Sequence, residues 1–396
     1  MVYVHKQNKR TLIMSAPKRN LAYQTQHKTT PVFWLTALFA HLKRLIDGEL
    51  KHLLTVNRSK RPWHMPIIAA ITISFPVCVG AYFDALPSGI KASLGAMVVL
   101  NTPLVGKLPF RLVTVMAWGF AMSLCFSLGL IAQQIPSLKL PIFTLMAFGI
   151  VIFGRYYRQP PPAGLFVMMA GAIALFIPLP IEDVMPATGL VMLGSGFALV
   201  MALLYSLFLL ATRPSTPTPV YSYEPDTITE SVIVTGFVSL ALLIAITLQL
   251  SNPYWAAVSC FLIVQGIHLR TMWIKQIHRL LGTLLGVGLA GWMLSWGLSI
   301  WGVALAILGM MLCIETLVDR HYGLAVILIT PLTIFIAEYG SGLSFTEQAY
   351  QEVILARLLD TIIGCLVGLS GGVVIHSTNL RVPMRRMENW LLARFG

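Results

Sequence analysis

Lysine and arginine are sorted along this chain by the apolar segments that separate them. Twelve apolar stretches can be marked, over residues 66–84, 88–105, 112–132, 140–154, 163–180, 186–211, 231–250, 253–267, 280–298, 300–318, 322–338 and 355–375. If the N-terminus is cytoplasmic, all of the 28 Lys and Arg residues fall on the inner side except Lys91, Lys139 and Arg357. Positive charge in short loops sets the orientation of spans during insertion, and a missed or extra span would destroy this sorting. The sequence therefore predicts an all-α polytopic membrane protein with about twelve transmembrane helices and both termini in the cytoplasm.

The composition agrees with this prediction. Apolar residues make up 57% of the chain and charged residues 11%, about half the charged fraction of a soluble domain. Spans of roughly 20 residues each use most of the chain and leave no room for a soluble domain. The net charge of +13 lies mostly at the inner membrane face, where anionic lipid is a simpler partner than nucleic acid.

Two regions of low hydropathy define the domain organisation. Residues 1–65 are predicted to be a basic cytoplasmic tail that includes an amphipathic interfacial helix over 33–56, where apolar residues recur at three- and four-residue steps. A helix docked on the spans is the alternative. Residues 212–230 hold four prolines, which predict an extended cytoplasmic linker. The remaining parts are a first six-span repeat over 66–211, a second over 231–379 and a basic cytoplasmic tail over 380–396.

The two halves are predicted to be parallel repeats. Arg111 opens the third span and Arg279 opens the ninth, and each is followed 18 residues later by a glycine, Gly129 or Gly297. With six spans in each half, both halves enter the membrane from the same side. They would then be related by an axis along the membrane normal, as in several transporters whose substrate site lies at the repeat interface.

A second pattern points to helix packing. Arg279 and Arg357 each begin the pattern Arg-Leu-Leu-x-Thr-x-x-Gly. The small residues assigned to packing are Gly282 and Gly286 in the ninth span and Gly364 and Gly368 in the twelfth. Small residues on one helix face let backbones approach closely in lipid. We expect the ninth and twelfth spans to pack backbone to backbone through Gly286 and Gly368.

The cations inside outer apolar segments are the main candidates for substrate binding. An intramembrane cation costs about 2.5–3.5 kcal/mol on insertion scales, and it tends to line a water-filled path or pair with an acid. Lys91 and Arg357 fit this description, and arginine is suited to bidentate binding of a carboxylate. Tyr254 and Trp255 could stack an aromatic ring, although an interfacial aromatic belt explains them equally well. The alternatives are snorkelling for Lys91 and a structural pair with Asp360 for Arg357.

Proton coupling, if present, is predicted to use carboxylates. The candidates are Asp84 at the end of the first span, Glu315 and Asp319 late in the tenth, and Asp360 in the twelfth. All nine histidines fall in predicted cytoplasmic segments or at inner span ends, so a histidine relay through the bilayer is not expected. The five cysteines are scattered singly without metal or disulfide spacing. No cofactor and no metal site are expected.

Several motifs of the second half carry a family resemblance. They are Asn252-Pro-Tyr-Trp-Ala256, Gln265, the two patterns that begin at Arg279 and Arg357, and Tyr322-Gly-Leu-Ala-Val with Thr330-Pro331. Together they resemble the fusaric acid resistance family of inner-membrane proteins, well over 230–376 and more weakly over 61–211. That family includes aromatic carboxylic acid efflux pumps and is distantly similar to plant aluminium-activated malate channels. The pumps have a large cytoplasmic domain where this chain has a short linker.

The resemblance implies a bacterial inner-membrane protein that exports small, aromatic carboxylates using the proton-motive force. A gated organic-anion channel remains open, because a potential of 100 mV already drives a monoanion outward by about 2.3 kcal/mol. A non-transport scaffold and a homo-oligomer also remain open. An enzyme is disfavoured, since Ser370 would need a base within hydrogen-bond reach. His376 is the nearest candidate, and it lies about 9 Å away along the same helix.

Overall fold

The computed structural model describes residues 55–59, 61–212, 217–219, 221, 225–266, 269–341 and 347–377, together with residues 382, 385, 386, 388 and 390. The amphipathic helix predicted over 33–56 lies almost entirely outside the described residues.

Twelve α-helices make up the described part of the chain, and no strand occurs in it. They are α1 (His64–Tyr82), α2 (Leu86–Ala96), α3 (Leu108–Gln133), α4 (Lys139–Tyr156), α5 (Leu165–Ala174), α6 (Val184–Thr212), α7 (Thr227–Thr247), α8 (Tyr254–Val264), α9 (Leu269–Leu294), α10 (Ile300–Leu317), α11 (Tyr322–Ser341) and α12 (Glu347–His376). Each predicted apolar stretch overlaps one of these helices. The all-α prediction is therefore confirmed.

Eight of these helices are long and apolar enough to cross a membrane, namely α1, α3, α4, α6, α7, α9, α10 and α12. The protein is a multi-pass membrane protein. The prediction of twelve full spans is met only in part. The apolar helices α5 and α8 and the apolar part of α11, Tyr322–Ala337, are too short to count as candidate spans, and α2 has 11 residues. A helix of that length measures about 16 Å, roughly half of the hydrocarbon thickness. Neither α2 nor α8 can cross the bilayer as an α-helix on its own.

The packing partners of the first six helices recur in the last six. In the first half α2 packs on α1 and α6, and α3 packs on α5 and α6. In the second half α8 packs on α7 and α12, and α9 packs on α11 and α12. Contacts between the halves recur in the same way. The α1–α10 contact corresponds to the α7–α4 contact, and the α2–α11 contact corresponds to the α8–α5 contact. The 11-residue helices α2 and α8 thus occupy corresponding places.

Glycines allow the closest of these helix contacts. A Cβ on Gly194 of α6 would collide with the Ala92 carbonyl of α2, and one on Gly364 of α12 would collide with the Ala256 carbonyl of α8. A Cβ on Gly368 would lie 2.9 Å from the Cys260 carbonyl oxygen. In the first half α2 therefore packs against a glycine-bearing face of α6, and in the second half α8 packs against a glycine-bearing face of α12.

The expected pairing of Gly286 with Gly368 is wrong. A Cβ on Gly286 would lie 2.7 Å from the Ile327 carbonyl oxygen, and one on Gly282 would lie 2.7 Å from the Val326 Cβ, both on α11. Gly282 and Gly286 of α9 thus face α11, and Gly364 and Gly368 of α12 face α8. A small-residue pattern shows which face packs closely, but the neighbour on that face is set by the arrangement of the whole bundle.

Both ends of the described chain contact connections between helices. The Asn57 amide donates to the Arg320 carbonyl between α10 and α11, 2.8 Å away. The Glu388 carboxylate accepts from the Ile228 and Thr229 amides at the start of α7, at 3.3 and 3.0 Å. In the linker, the Tyr221 ring lies 5.5 Å from the Tyr157 ring after α4.

Candidate functional site: a cation-lined cavity

A cavity of about 610 Å³ is lined by residues from both halves of the chain. Its walls come from α2 and α5 of the first half and from α8 to α12 of the second. Tyr322 and Gly340 of α11 both line it, so it follows that helix for about 27 Å, at 1.5 Å per residue. We call it the central cavity and name its two ends after these two residues.

The charges that line the central cavity are mostly positive. The cations are Arg61, Lys91, Lys275, Arg279 and Arg357, and the carboxylates are Glu315 and Asp319. Arg61 pairs with both carboxylates, at 3.3 Å to Glu315 and 2.9 Å to Asp319. The other four cations form no ion pair within the described part of the chain. A cavity lined by one sign of charge with low-dielectric walls concentrates ions of the opposite sign.

Arg357 is the most constrained of these cations. Its side chain is 3% exposed, its Cζ lies 3.4 Å from the Trp255 ring centroid, and its Nη2 donates to the Thr333 hydroxyl at 3.1 Å. Its Nε and Nη1 are buried and have no hydrogen-bond partner in the described structure. Such groups are rare, because a buried donor without a partner is costly. Nε and Nη1 lie on different edges of the guanidinium, and each can donate a hydrogen bond to an anion.

The local pair of Arg357 with Asp360 is not formed. Asp360 is fully buried, and neither of its carboxylate oxygens has a hydrogen-bond partner among the described residues. Although three residues apart on one helix, the two side chains do not bond, since the Arg357 guanidinium lies against Trp255 of α8 and Thr333 of α11. The hydrogen-bonded pair with Asp360, the alternative role given for Arg357, is therefore not formed.

The structure brings the four predicted substrate-binding residues, Lys91, Tyr254, Trp255 and Arg357, to the central cavity. The Tyr254 ring centroid lies 5.1 Å from that of Trp255 and 6.0 Å from that of Phe176, which follows α5 in the other half. One face of Trp255 is covered by the Arg357 guanidinium. Trp255 therefore orients the cation, and Tyr254 and Phe176 form the aromatic wall.

The four candidate proton carriers are separated. Asp84 is exposed in the connection between α1 and α2 and does not line the central cavity. Glu315 and Asp319 lie at its Tyr322 end, bound to Arg61. Asp360 is buried one turn from Arg357 on α12.

Sequence reasoning missed the three cations toward the Tyr322 end, Arg61, Lys275 and Arg279. Arg279 was expected at the inner boundary, but α9 begins at Leu269 and places it about 15 Å into the helix. It is 3% exposed, and its Nε and Nη2 donate to the Ser259 hydroxyl at 3.3 and 3.1 Å. All three obey the charge rule, so this rule does not separate them from the cations of the loops. Only Arg279 carries another sequence signal, the pattern that it shares with Arg357.

Arg111, the predicted counterpart of Arg279, is also buried, at 4% exposed. Its Nε donates to the Gly106 carbonyl at 3.0 Å and its Nη2 to the Leu104 carbonyl at 3.2 Å. Arg111 does not line the central cavity. The two arginines thus share burial and position but not contacts.

A helical bundle with eight candidate spans and a cation-lined cavity defines a multi-pass membrane protein. Within it, residues 240–371 form a fusaric acid resistance protein-like domain, since they match the model of that family. The matched range extends from α7 into α12 and includes Trp255, Arg279 and Arg357. The resemblance stated for the second half is therefore confirmed, and the first half lies outside the match. No curated protein and no solved structure matches this chain.

Proposed function

We propose that this protein exports small aromatic carboxylate anions across the bacterial inner membrane, driven by the proton-motive force. The observation that carries the proposal is the central cavity, where four cations without an ion-pair partner in the described structure lie at successive depths. Burying a cation in a membrane is costly, and such residues mark ion or substrate pathways. Four of them along one cavity favour anions as cargo.

The size and lining of the central cavity suit an aromatic acid. Its volume of about 610 Å³ falls within the usual range of small-molecule sites, roughly 300–1,000 Å³. In the proposed binding mode the carboxylate accepts from the Arg357 guanidinium, at Nε or at Nη1, with Lys91 supplying long-range attraction. The ring then lies against Tyr254 and Phe176, which are contributed by different halves of the chain.

The helix pairing supports the proposed duplication. The contacts of α2 and α3 with α1, α5 and α6 have counterparts six helices later, and so do both sets of contacts between the halves. Two parallel six-helix repeats related by an axis along the membrane normal account for this pattern. Short helices in corresponding positions of two repeats are the usual indication of a transporter's substrate site, and α2 and α8 both line the central cavity.

The contacts of the chain ends support cytoplasmic termini. Asn57 reaches the connection before α11, and Glu388 caps the start of α7. In the proposed topology these connections, the linker over 212–230 and both basic tails share the inner face, where anionic lipid attracts them. The Tyr322 end of the central cavity then faces the cytoplasm and the Gly340 end faces outward.

A gated anion channel is the second candidate, favoured by the ion pairs at the Tyr322 end. Arg61 binds Glu315 and Asp319 and also donates to the Pro161 carbonyl at 3.5 Å. This cluster joins the segment before α1 to α10 and to the loop before α5. In a channel it would be the gate, and in a pump it would be the inner closure.

An enzyme and a scaffold gain less support. The Ser370 hydroxyl is exposed and donates to the Leu366 carbonyl of its own helix at 3.0 Å, which does not prepare a nucleophile. A scaffold has no need for a cation-lined cavity.

Uptake into everted vesicles tests the proposal and separates pump from channel. Labelled 4-hydroxybenzoate, fusarate and malate are offered with and without a pH gradient, at zero and at imposed membrane potential. An exporter that uses the pH gradient accumulates an aromatic acid at zero potential, whereas a channel follows the potential alone. If none of the three anions enters above the level of vesicles that lack the protein, the proposal is refuted for this class of substrate.

A further inference from the structure

Arg279 and Lys275 are cavity cations that the proposed binding mode at Arg357 does not use. Arg279 is 3% exposed, and its only hydrogen bonds within the described structure go to the Ser259 hydroxyl, which leaves Nη1 without a partner. Lys275 is half-buried, lines the central cavity and has no hydrogen bond or ion pair among the described residues. Two unneutralised cations so placed need an explanation.

The two residues lie next to each other along the cavity wall. They are four residues apart on α9, so they share one face, about 6 Å apart along the axis. Gln265, at the end of α8, lines the cavity as well and carries an amide that can donate to an anion.

The position relative to Arg357 follows from α8. The Arg357 guanidinium lies over the Trp255 ring, and the Arg279 guanidinium binds Ser259, one helical turn farther toward the Tyr322 end. Lys275 lies one turn farther again on α9. The cations therefore form a series with steps of about one turn, or 6 Å.

We propose that Arg279 and Lys275 form a second carboxylate-binding subsite, one step nearer the cytoplasm than Arg357. This inference rests on the proposed export of carboxylates. An anion that has passed the Arg61 cluster at the Tyr322 end reaches Lys275 and Arg279 before Arg357 and Lys91. Conduction needs several sites of moderate affinity, because one deep site would retain the ion.

The electrostatic part of this inference can be measured without knowing the substrate. The five cysteines are replaced by alanine and Gln265→Cys is introduced. The reaction rates of this thiol with the anionic sulfonatoethyl and the cationic trimethylammonioethyl methanethiosulfonates are then compared. We expect the anionic reagent to react faster than the cationic one. Lys275→Gln should lower the ratio of the anionic to the cationic rate by roughly tenfold, an effect between those that Coulomb's law gives for water and for a protein-like medium.

Arg270→Gln is the matched control, since Arg270 is an exposed cation on α9 that does not line the central cavity. It should leave the ratio unchanged. Benzoate at millimolar concentration should slow modification of the introduced thiol, and Lys275→Gln should weaken this protection. Because Lys275 has no hydrogen bond or ion pair to lose in the described structure, folding of this variant is expected even if Arg279→Gln fails to fold.

The outcomes distinguish this inference from the proposed function. If the unsubstituted protein transports 4-hydroxybenzoate but Lys275→Gln changes neither KM nor the rate ratio, the subsite is refuted and export stands. If the rate ratio and benzoate protection fall as expected but no carboxylate is transported, the anion subsite stands and export is refuted.

Discussion

Replacing Arg357 by glutamine is the sharpest test of the carboxylate site. The change leaves a shorter, neutral polar side chain and removes the charge and the two nitrogens that have no partner in the described structure. A hydrogen bond to a charged group contributes about 1.5–3 kcal/mol. At 1.4 kcal/mol per tenfold, loss of that interaction should raise the apparent KM for 4-hydroxybenzoate by roughly 10- to 150-fold. The KM of Arg357→Lys should lie between those of the unsubstituted protein and Arg357→Gln, because lysine keeps the charge but lacks the planar guanidinium.

The effect of this change on folding is expected to be small. Arg357→Gln removes the hydrogen bond to Thr333 and the stack on Trp255, worth about 0.5–2 kcal/mol for a cation–π contact. It also removes a buried cation, whose desolvation opposes folding. Because the two effects have opposite sign, we expect a similar yield and melting temperature.

The assay combines uptake in everted vesicles with size-exclusion profiles and melting curves of the purified protein. Arg111→Gln is the matched control, since it removes a buried arginine that bonds to backbone carbonyls outside the central cavity. We expect it to reduce folded yield and leave KM unchanged. If Arg357→Gln instead abolishes folding, or transports with an unchanged KM, Arg357 is structural and the carboxylate site is wrongly placed.

Three further predictions concern coupling, packing and topology. Asp360→Asn should keep anion movement but weaken its dependence on the pH gradient, because Asp360 is a buried carboxyl without a hydrogen-bond partner in the described structure. If the variant and the unsubstituted protein depend equally on the pH gradient, Asp360 is not the proton carrier. Gly364→Leu should sharply lower folded yield, because the Gly364 face of α12 meets the α8 backbone. Gly288→Leu should be tolerated, because there is open space around Gly288. Equal yields of the two variants would contradict the close contact. A cysteine at Ser137 should react with impermeant maleimide from outside and one at Thr218 only after permeabilisation, and the opposite pattern would reverse the topology.

The sequence predicted the helical membrane fold and singled out Arg357. Apolar runs specify helices locally, because every backbone polar group in lipid must bond within its own segment. A cation that breaks the charge rule is visible without any structure, since the rule is read from the order of spans and charges along the chain. For the same reason Lys91 could be selected before the central cavity was known.

Tertiary structure decided which side chains meet. Arg357 turns to Trp255 and Thr333 rather than to Asp360, and Gly286 packs on α11 rather than on α12. Arg279 and Lys275 obey the charge rule yet line the central cavity, because α9 starts earlier than its apolar run and carries them to the cavity wall. Hydropathy and spacing are properties of one segment, whereas a partner across a helix interface depends on how all twelve helices pack.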